Sequence, residues 1–497
     1  MPDPTYLGID LGTTAIKALL VDHEFRVVGL AGREYPIHCP HRDWAEQDPE
    51  DWWRGLLDCV REVMASVRPE RVAALAISTQ GDTLCPVDAG GHALAPARTW
   101  MDARAAAEVE ELLQAHDAGW WYRLCGMKPA PFQAVATVAW LRNHNGEAYG
   151  KAASFALVQD FAMFRLTGRR VVDIPNASRT LLFDVPGRRW SGELLALLGI
   201  GESRVAEARE SGTPVGGLLP SAADALGLPP GVAVGLGAHD QCAAATGCGA
   251  LAEGTMMLSC GTAWALVAAA RGPLLDHLAR LQTYCHAFPG GWTVLGAQPG
   301  GALLRWFRDE WAPELAGSDE GYEVLVNEAQ AAPQGQGSVV FLPHLYGAIT
   351  PSWQPHARAG ILGLTLGHTR GSVVRGLLEG VALEARWNVE VMEEVVGHIE
   401  ELRMIGGAAK SRVWAQIVAN ATGKRVVLPQ VSEAAAYGAA LLAAKAVGAI
   451  RTPEEATDRL PLAGAVEPQP EEHARLTELF ATYREVFYKL AEAPRPQ

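Results

Sequence analysis

The stretch YLGIDLGTTAIKALLVD, Tyr6 to Asp22, decides the fold. Two β-rich runs flank a turn of small residues, Gly12-Thr13-Thr14, and one carboxylate, Asp10, stands just ahead of it. Outward from there, VVGLAGREY supplies the third strand of a meander. DPEDWWRGLLDCVREVMASV then places Trp52, Leu56, Cys59, Val60 and Val63 on one helical face, with Asp48 as cap and Pro49 opening the helix. VAALAIST is a short continuous apolar run, as expected of a strand buried on both faces. Three meander strands, a helix and a buried strand make an α/β unit.

The pattern begins again after about residue 240. GTMMLSCGTAWALVAAA repeats strand, Gly-Thr turn and strand, so Gly12-Thr13 has an echo in Gly261-Thr262. A long amphipathic helix follows in GSVVRGLLEGVALEARWNVEVMEEV, then the strand ELRMIGG, another helix, the strand KRVVLP and an Ala-rich helix near 434–447. The sequence therefore predicts two α/β halves, 1–244 and 245–497, ending in a surface helix and a proline-rich tail. The glycines near 235–237 and 247–249 are the expected hinges.

Bulk properties narrow the function classes. The 497 residues carry a formal net charge of -14, which opposes binding to nucleic acid or an anionic membrane. A nucleotide is not excluded, because it needs only a local site of backbone N–H groups, a lysine or a metal. The eight cysteines form no C-x-x-C pair and are expected to be reduced and mostly buried, in a cytoplasmic protein. No basic leader precedes the first strand, and the longest apolar stretch, AAAYGAALLAAKAVGAI, is expected to be a buried helix.

The common nucleotide and hydrolase signatures are missing: there is no G-x-x-x-x-G-K-[ST], no H-E-x-x-H and no G-x-S-x-G. What remains is the pair of Gly-Thr turns, which serve either as plain hairpins or as phosphate loops whose N–H groups and hydroxyls meet phosphate at close range. In GVAVGLGAHDQCAAATGCGA a strand runs into a helix at Asp240. That carboxylate either caps the helix or, at the mouth of the strand, accepts a proton from a hydroxyl attacking phosphorus. His239 reads as its packed neighbour. Gly406-Gly407 closes a strand and lets a flat ring approach the backbone, and Ser411 sits in the opening turn of the next helix.

In order and spacing, GIDLGTTAIKALLVD, STQGD, GAHDQ, SCGTAW, GILGLTLGHTRGSVVRGLLEG and IGGAAKSRVWAQIVANATG resemble the FGGY carbohydrate kinases over about residues 6–447. The resemblance implies two ribonuclease-H-like (actin-like ATPase) domains with the active site in the cleft between them. It implies transfer of the γ-phosphoryl group of MgATP to a sugar or polyol hydroxyl, in a dimer or tetramer. Carried over by position, Asp240 matches the catalytic base, and Asp10, with Asp240, the acids near Mg2+. Gly12, Thr13, Thr14 and Lys17 match the first phosphate loop, and Gly261 and Thr262 the second. Gly301, Gly407 and Ser411 match the ATP-site lining.

For the acceptor, the resemblance implies hydroxyl contacts from Gln80, Asp82 and Gln241 and carbon-chain packing on Trp100 and Phe132. The chain departs from two subgroups. Glycerol kinases resemble QRET where this chain has Gly81 in TQGDT, with a tyrosine at the place of Phe132; xylulokinases resemble GQMHG, whose Met-His pair is missing here. The segment TWMDARA looks more like the pentulose kinases, so a ketopentose such as xylulose is expected ahead of glycerol. The rival from another class is an actin- or Hsp70-like ATPase without a sugar acceptor.

Overall fold

The computed structural model describes residues 3–65, 67–332, 338–431 and 433–492. The opening stretch forms an antiparallel hairpin, β1 (Thr5–Leu11) and β2 (Ala15–Val21), with Asp10 opposite Lys17 in the ladder. β3 (Val27–Glu34) completes the meander. α1 (Pro49–Met64) starts where its sequence signals lie, with the Asp48 side chain accepting the Glu50 N–H. β4 (Val72–Thr79) runs parallel to β1 and is buried along nearly its whole length. Further on come α2 (Ile174–Arg179), β5 (Pro214–Gly217), β6 (Ala233–His239) and α3 (Asp240–Cys248). The first sheet has the order β5-β6-β4-β1-β2-β3, with β4 parallel to both of its neighbours.

The second half repeats the scheme. β7 (Thr255–Cys260) and β8 (Ala263–Ala270) form its hairpin, followed by β9 (Gln282–Cys285), β10 (Trp292–Pro299) and α4 (Gly301–Trp311). Then come α5 (Arg370–Val396), β11 (Glu401–Ile405), α6 (Arg412–Thr422), β12 (Arg425–Pro429), α7 (Ala434–Ala446), β13 (Leu462–Val466) and α8 (Pro470–Glu492). The sheet order is β9-β10-β8-β7-β11-β12-β13, with β7, β11 and β12 parallel. Each sheet thus joins an antiparallel meander to two parallel strands. This is the mixed α/β, two-domain, actin-like architecture the sequence predicts.

The halves meet through α3 and α7, which touch backbone to backbone. A Cβ on Gly438 would lie 1.9 Å from the Ala243 carbonyl oxygen, and one on Gly247 would lie 2.0 Å from that of Ala434. That contact explains the alanine-rich composition of α7, since larger side chains would force the helices apart. It also gives Gly247 a steric role at the contact between the halves. The division at 244/245 falls inside α3, so a continuous helix crosses it.

The last helix differs from a simple surface helix: Leu476, Tyr483 and Phe487 are buried in the second core. The proline-rich tail, 493–497, lies outside the described residues. All eight cysteines are free, and Cys39 is the exposed one. Among the described residues no helix is long and apolar enough to cross a membrane.

Candidate active site

β6 ends at His239 and α3 begins at Asp240, on the side of the parallel strands where α/β folds bind ligands. The Asp240 Oδ1 accepts the Gln241 N–H at 2.6 Å and lies 3.2 Å from His239 Nε2. Burial pushes the Asp240 acid up to about 6, against the pull of the Arg179 guanidinium and the Gln241 hydrogen bonds. His239 is held well below its ordinary value by burial and by Arg179, so its ring is neutral. The side chain is 5% exposed, the packed neighbour that the sequence suggests.

The TQGDT segment folds against this pair. Asp82 sits in the left-handed backbone region at φ 59°, and the Thr83 N–H closes a tight turn onto the Gly81 carbonyl at 2.7 Å. Arg179 on α2 donates to Asp82 Oδ2 from Nη2 at 2.7 Å and from Nε at 3.2 Å. The other oxygen, Oδ1, is buried without a partner. Burial raises the Asp82 acid while Arg179 opposes the rise. Arg179 also reaches Gln282 Oε1 at 3.3 Å and lies 5.0 Å from the Tyr284 ring centroid. Both of those residues are on β9, so the guanidinium bridges the two halves.

Gly81 is explained by this packing. A Cβ there would stand 2.6 Å from His239 Nε2 and 3.1 Å from Arg179 Nε. An arginine at 81 is incompatible with such an arrangement, and the positive charge beside Asp240 comes from Arg179.

Gln80 and Gln241 each carry a buried side-chain oxygen without a protein partner. Gln80 donates through Nε2 to Gln47 Oε1 at 2.8 Å, and its own Oε1 is buried and unpartnered. Gln241 Oε1 is likewise buried and unpartnered. Trp100 is 44% exposed, and its indole N–H donates to Thr13 Oγ1 at 2.8 Å, so it braces the first turn as well as facing outward. Phe132 is half-buried just ahead of the helix Ala134–His144, whose Val135 N–H donates to the Thr180 carbonyl beside Arg179.

Side chains hold the first Gly-Thr turn. Gln47 donates to the Thr13 carbonyl at 2.6 Å, Trp100 to its hydroxyl, and the Tyr35 hydroxyl to the Gly12 carbonyl. Thr14 is exposed, and Lys17 pairs with Glu433 of the second half at 2.5 Å. The second turn is held by backbone: Gly301 and Ala302 donate to the carbonyls of Gly261 and Thr262 at 2.9 and 3.0 Å. Gly406 packs on Cys260, where a Cβ would lie 2.8 Å from the carbonyl oxygen, which puts Gly407 beside that turn. Gly261, Thr262, Gly301 and Gly407 therefore come together, while Ser411 caps α6 by accepting the Trp414 N–H at 3.2 Å.

Asp10, at the end of β1, accepts the Ser78 hydroxyl at 2.9 Å. Burial, and next the charge of Asp240, push its acid up to about 7. Two neighbouring carboxylates of that kind suit a hard cation with oxygen ligands. Among the described residues no group of three or more His, Cys, Asp or Glu is arranged to hold a metal. The pair fits a Mg2+ that takes most of its ligands from phosphates and water.

Two residues escape a reading of the sequence. Arg179 lies in NASRT, a polar run inside a buried segment, and a buried arginine implies a nearby carboxylate. Gln47 lies in EQDPE, where the helix-start signal draws attention to its neighbours instead.

Two family models match the chain. The profile of the FGGY family of carbohydrate kinases, N-terminal domain, matches residues 5–247, and that of the C-terminal domain matches residues 256–447. A xylulose kinase of Klebsiella pneumoniae is 30% identical over 99% of both chains. A glycerol kinase of Thermococcus gammatolerans is 31% identical over 94% of both. Among solved structures, the xylulose kinase from Rhodospirillum rubrum superposes with a TM-score of 0.89 at 28% identity, covering 98% of this chain and 99% of that one.

Proposed function

The chain belongs to the FGGY family of carbohydrate kinases, and within that family we propose that it phosphorylates a neutral polyhydroxy acceptor, foremost a ketopentose such as xylulose. As a carbohydrate kinase it is a sugar phosphotransferase that uses ATP. The observation that carries the acceptor reading is the set of unpartnered buried oxygens on Gln241, next to Asp240, and on Gln80 and Asp82, which flank the Gly81 packed on His239: Gln80 Oε1, Asp82 Oδ1 and Gln241 Oε1. Oxygens of this kind accept hydrogen bonds, so they select a ligand rich in O–H donors. A carboxylate ligand would meet Asp82 and Asp240 as like charges, and the guanidinium of Arg179 is already engaged by Asp82. The full-length likeness to xylulose kinases favours the ketopentose. Glycerol is the second reading, favoured by the glycerol kinase relative at 31% identity.

In this reading Asp240 takes the proton of the acceptor hydroxyl as its oxygen attacks the γ-phosphorus and the bond to the ADP oxygen breaks. Its acid, near 6, leaves the carboxylate mostly ionised at neutral pH. Gln80, Asp82 and Gln241 orient the hydroxyls, with Trp100 and Phe132 beside the carbon chain. The turns at Gly12-Thr13-Thr14 and Gly261-Thr262 hold the phosphates, with Lys17, Gly301, Gly407 and Ser411 lining the nucleotide side. Asp10 and Asp240 would hold Mg2+, which supplies charge neutralisation on the phosphates. We take the domains as 1–244 and 245–497 and the setting as cytoplasmic.

The test is ADP release from MgATP across ketopentoses, ketohexoses, gluconate, polyols and glycerol, with the phosphorylated product identified. D-Xylulose is expected to stimulate most and gluconate least. Preferential phosphorylation of gluconate would overturn the neutral-acceptor reading.

A further inference from the structure

Gln47 lies just ahead of α1 and is fully buried. Its amide is locked at both ends. The Trp52 indole N–H can only donate, and it meets Oε1 at 3.1 Å. The Thr13 carbonyl can only accept, and it meets Nε2 at 2.6 Å. Gln80 approaches the same Oε1 at 2.8 Å, so it must present its nitrogen there. Its oxygen is thereby turned away, buried and without a protein partner. One glutamine fixes both the first Gly-Thr turn and the face that Gln80 shows to a ligand.

We propose that Gln47 is a positioning residue of the transfer reaction, holding the Thr13 turn for phosphate and the Gln80 oxygen for the acceptor in one register. It touches neither reactant and acts through these two neighbours. The indole of Trp100, bonded to the Thr13 hydroxyl, is a second strap on the same turn. The acceptor half of the proposal rests on the function proposed above; the phosphate half needs only a nucleotide.

The test separates the two halves. Gln47→Glu keeps an oxygen for Trp52 and Gln80 but sets a second oxygen against the Thr13 carbonyl. Its affinity for MgADP, measured by calorimetry without any acceptor, is expected to fall about tenfold, the scale of one lost buried hydrogen bond. The acceptor KM, read with D-xylulose and with glycerol, is expected to change less than about twofold, since that side keeps its bonds. Gln47→Met, which places no charge in the core, is expected to weaken both. Combined with Gln80→Met, it should raise the acceptor KM no further than Gln80→Met alone, because the effect passes through Gln80. Wild-type MgADP affinity in both Gln47 variants would overturn the phosphate half. Full additivity with Gln80→Met would overturn the acceptor half.

Discussion

The two Gly-Thr turns occupy equivalent places in equivalent sheets, yet they are braced differently. The first, at Gly12-Thr13-Thr14, is gripped by Gln47, Trp100 and Tyr35, side chains drawn from the half that also carries Gln80, Asp82 and Asp240. The second, at Gly261-Thr262, hangs on N–H groups at the start of α4 and keeps glycines at its flanks. One topology therefore serves two ends. The first turn is tied to whatever binds beside Asp240, while the second presents bare backbone that a nucleotide can approach closely.

That contrast can be broken from either side. The largest effect on KM is expected on the acceptor side, with Arg179→Met. Losing the guanidinium frees Asp82 and leaves its buried carboxylate unpaired, so the acceptor KM should rise about 100-fold, in the range measured for broken buried pairs. MgADP affinity should change far less. Arg179→Lys, which restores charge but not the fork, should recover part of the loss. Equal losses of acceptor and nucleotide binding would show that Arg179 merely holds the fold.

On the other side, Gly301→Ala adds one methyl whose Cβ would lie 2.7 Å from the Gly261 carbonyl oxygen. The second turn must shift, and the KM for MgATP should rise about tenfold, the cost of one displaced hydrogen bond, with the acceptor KM unchanged. A rise confined to the acceptor KM would reverse the assignment of the two turns.

The smallest effect sharpens the comparison by contrast with a buried carboxylate that has no such duty. Glu384 is fully buried, accepts a hydrogen bond from Tyr483, and burial pushes its acid up to about 8. The folded protein holds the proton and the unfolded chain releases it. This contribution is therefore complete below about 4.5 and is lost as pH rises through about 8. Glu384→Gln should match the wild-type unfolding midpoint at pH 5 and exceed it at pH 8, read by thermal melts. Asp82, equally buried, keeps Arg179 as its counter-charge, whereas Glu384 is held neutral.

The repeated halves, the capped start of α1 and the paired turns were legible because they are local. They are written in alternation, in Pro49 after Asp48, and in Gly-Thr between apolar strands. Asp240 and Asp10 were singled out through the resemblance of their motifs, and the structure sets them close enough for the charge of one to raise the acid of the other. The bracing was not, because it is made between distant positions. Gln47 reaches back 34 residues to Thr13, Arg179 reaches 97 residues to Asp82, and Lys17 reaches 416 residues to Glu433. Gly81 shows the limit most clearly. In the sequence it reads as a departure from known acceptor motifs, and only the positions of His239 and Arg179 give it a reason.

The central claim is that Asp240 is the base between two differently braced turns. Asp240→Asn keeps the shape of the side chain and removes its ability to take a proton. The direct measurement is acceptor phosphorylation by this variant alongside its MgADP affinity. The account predicts a rate lower by about 10³-fold, as for loss of a general base, with MgADP bound nearly as in the wild type. Retention of more than a few per cent of the rate would contradict it.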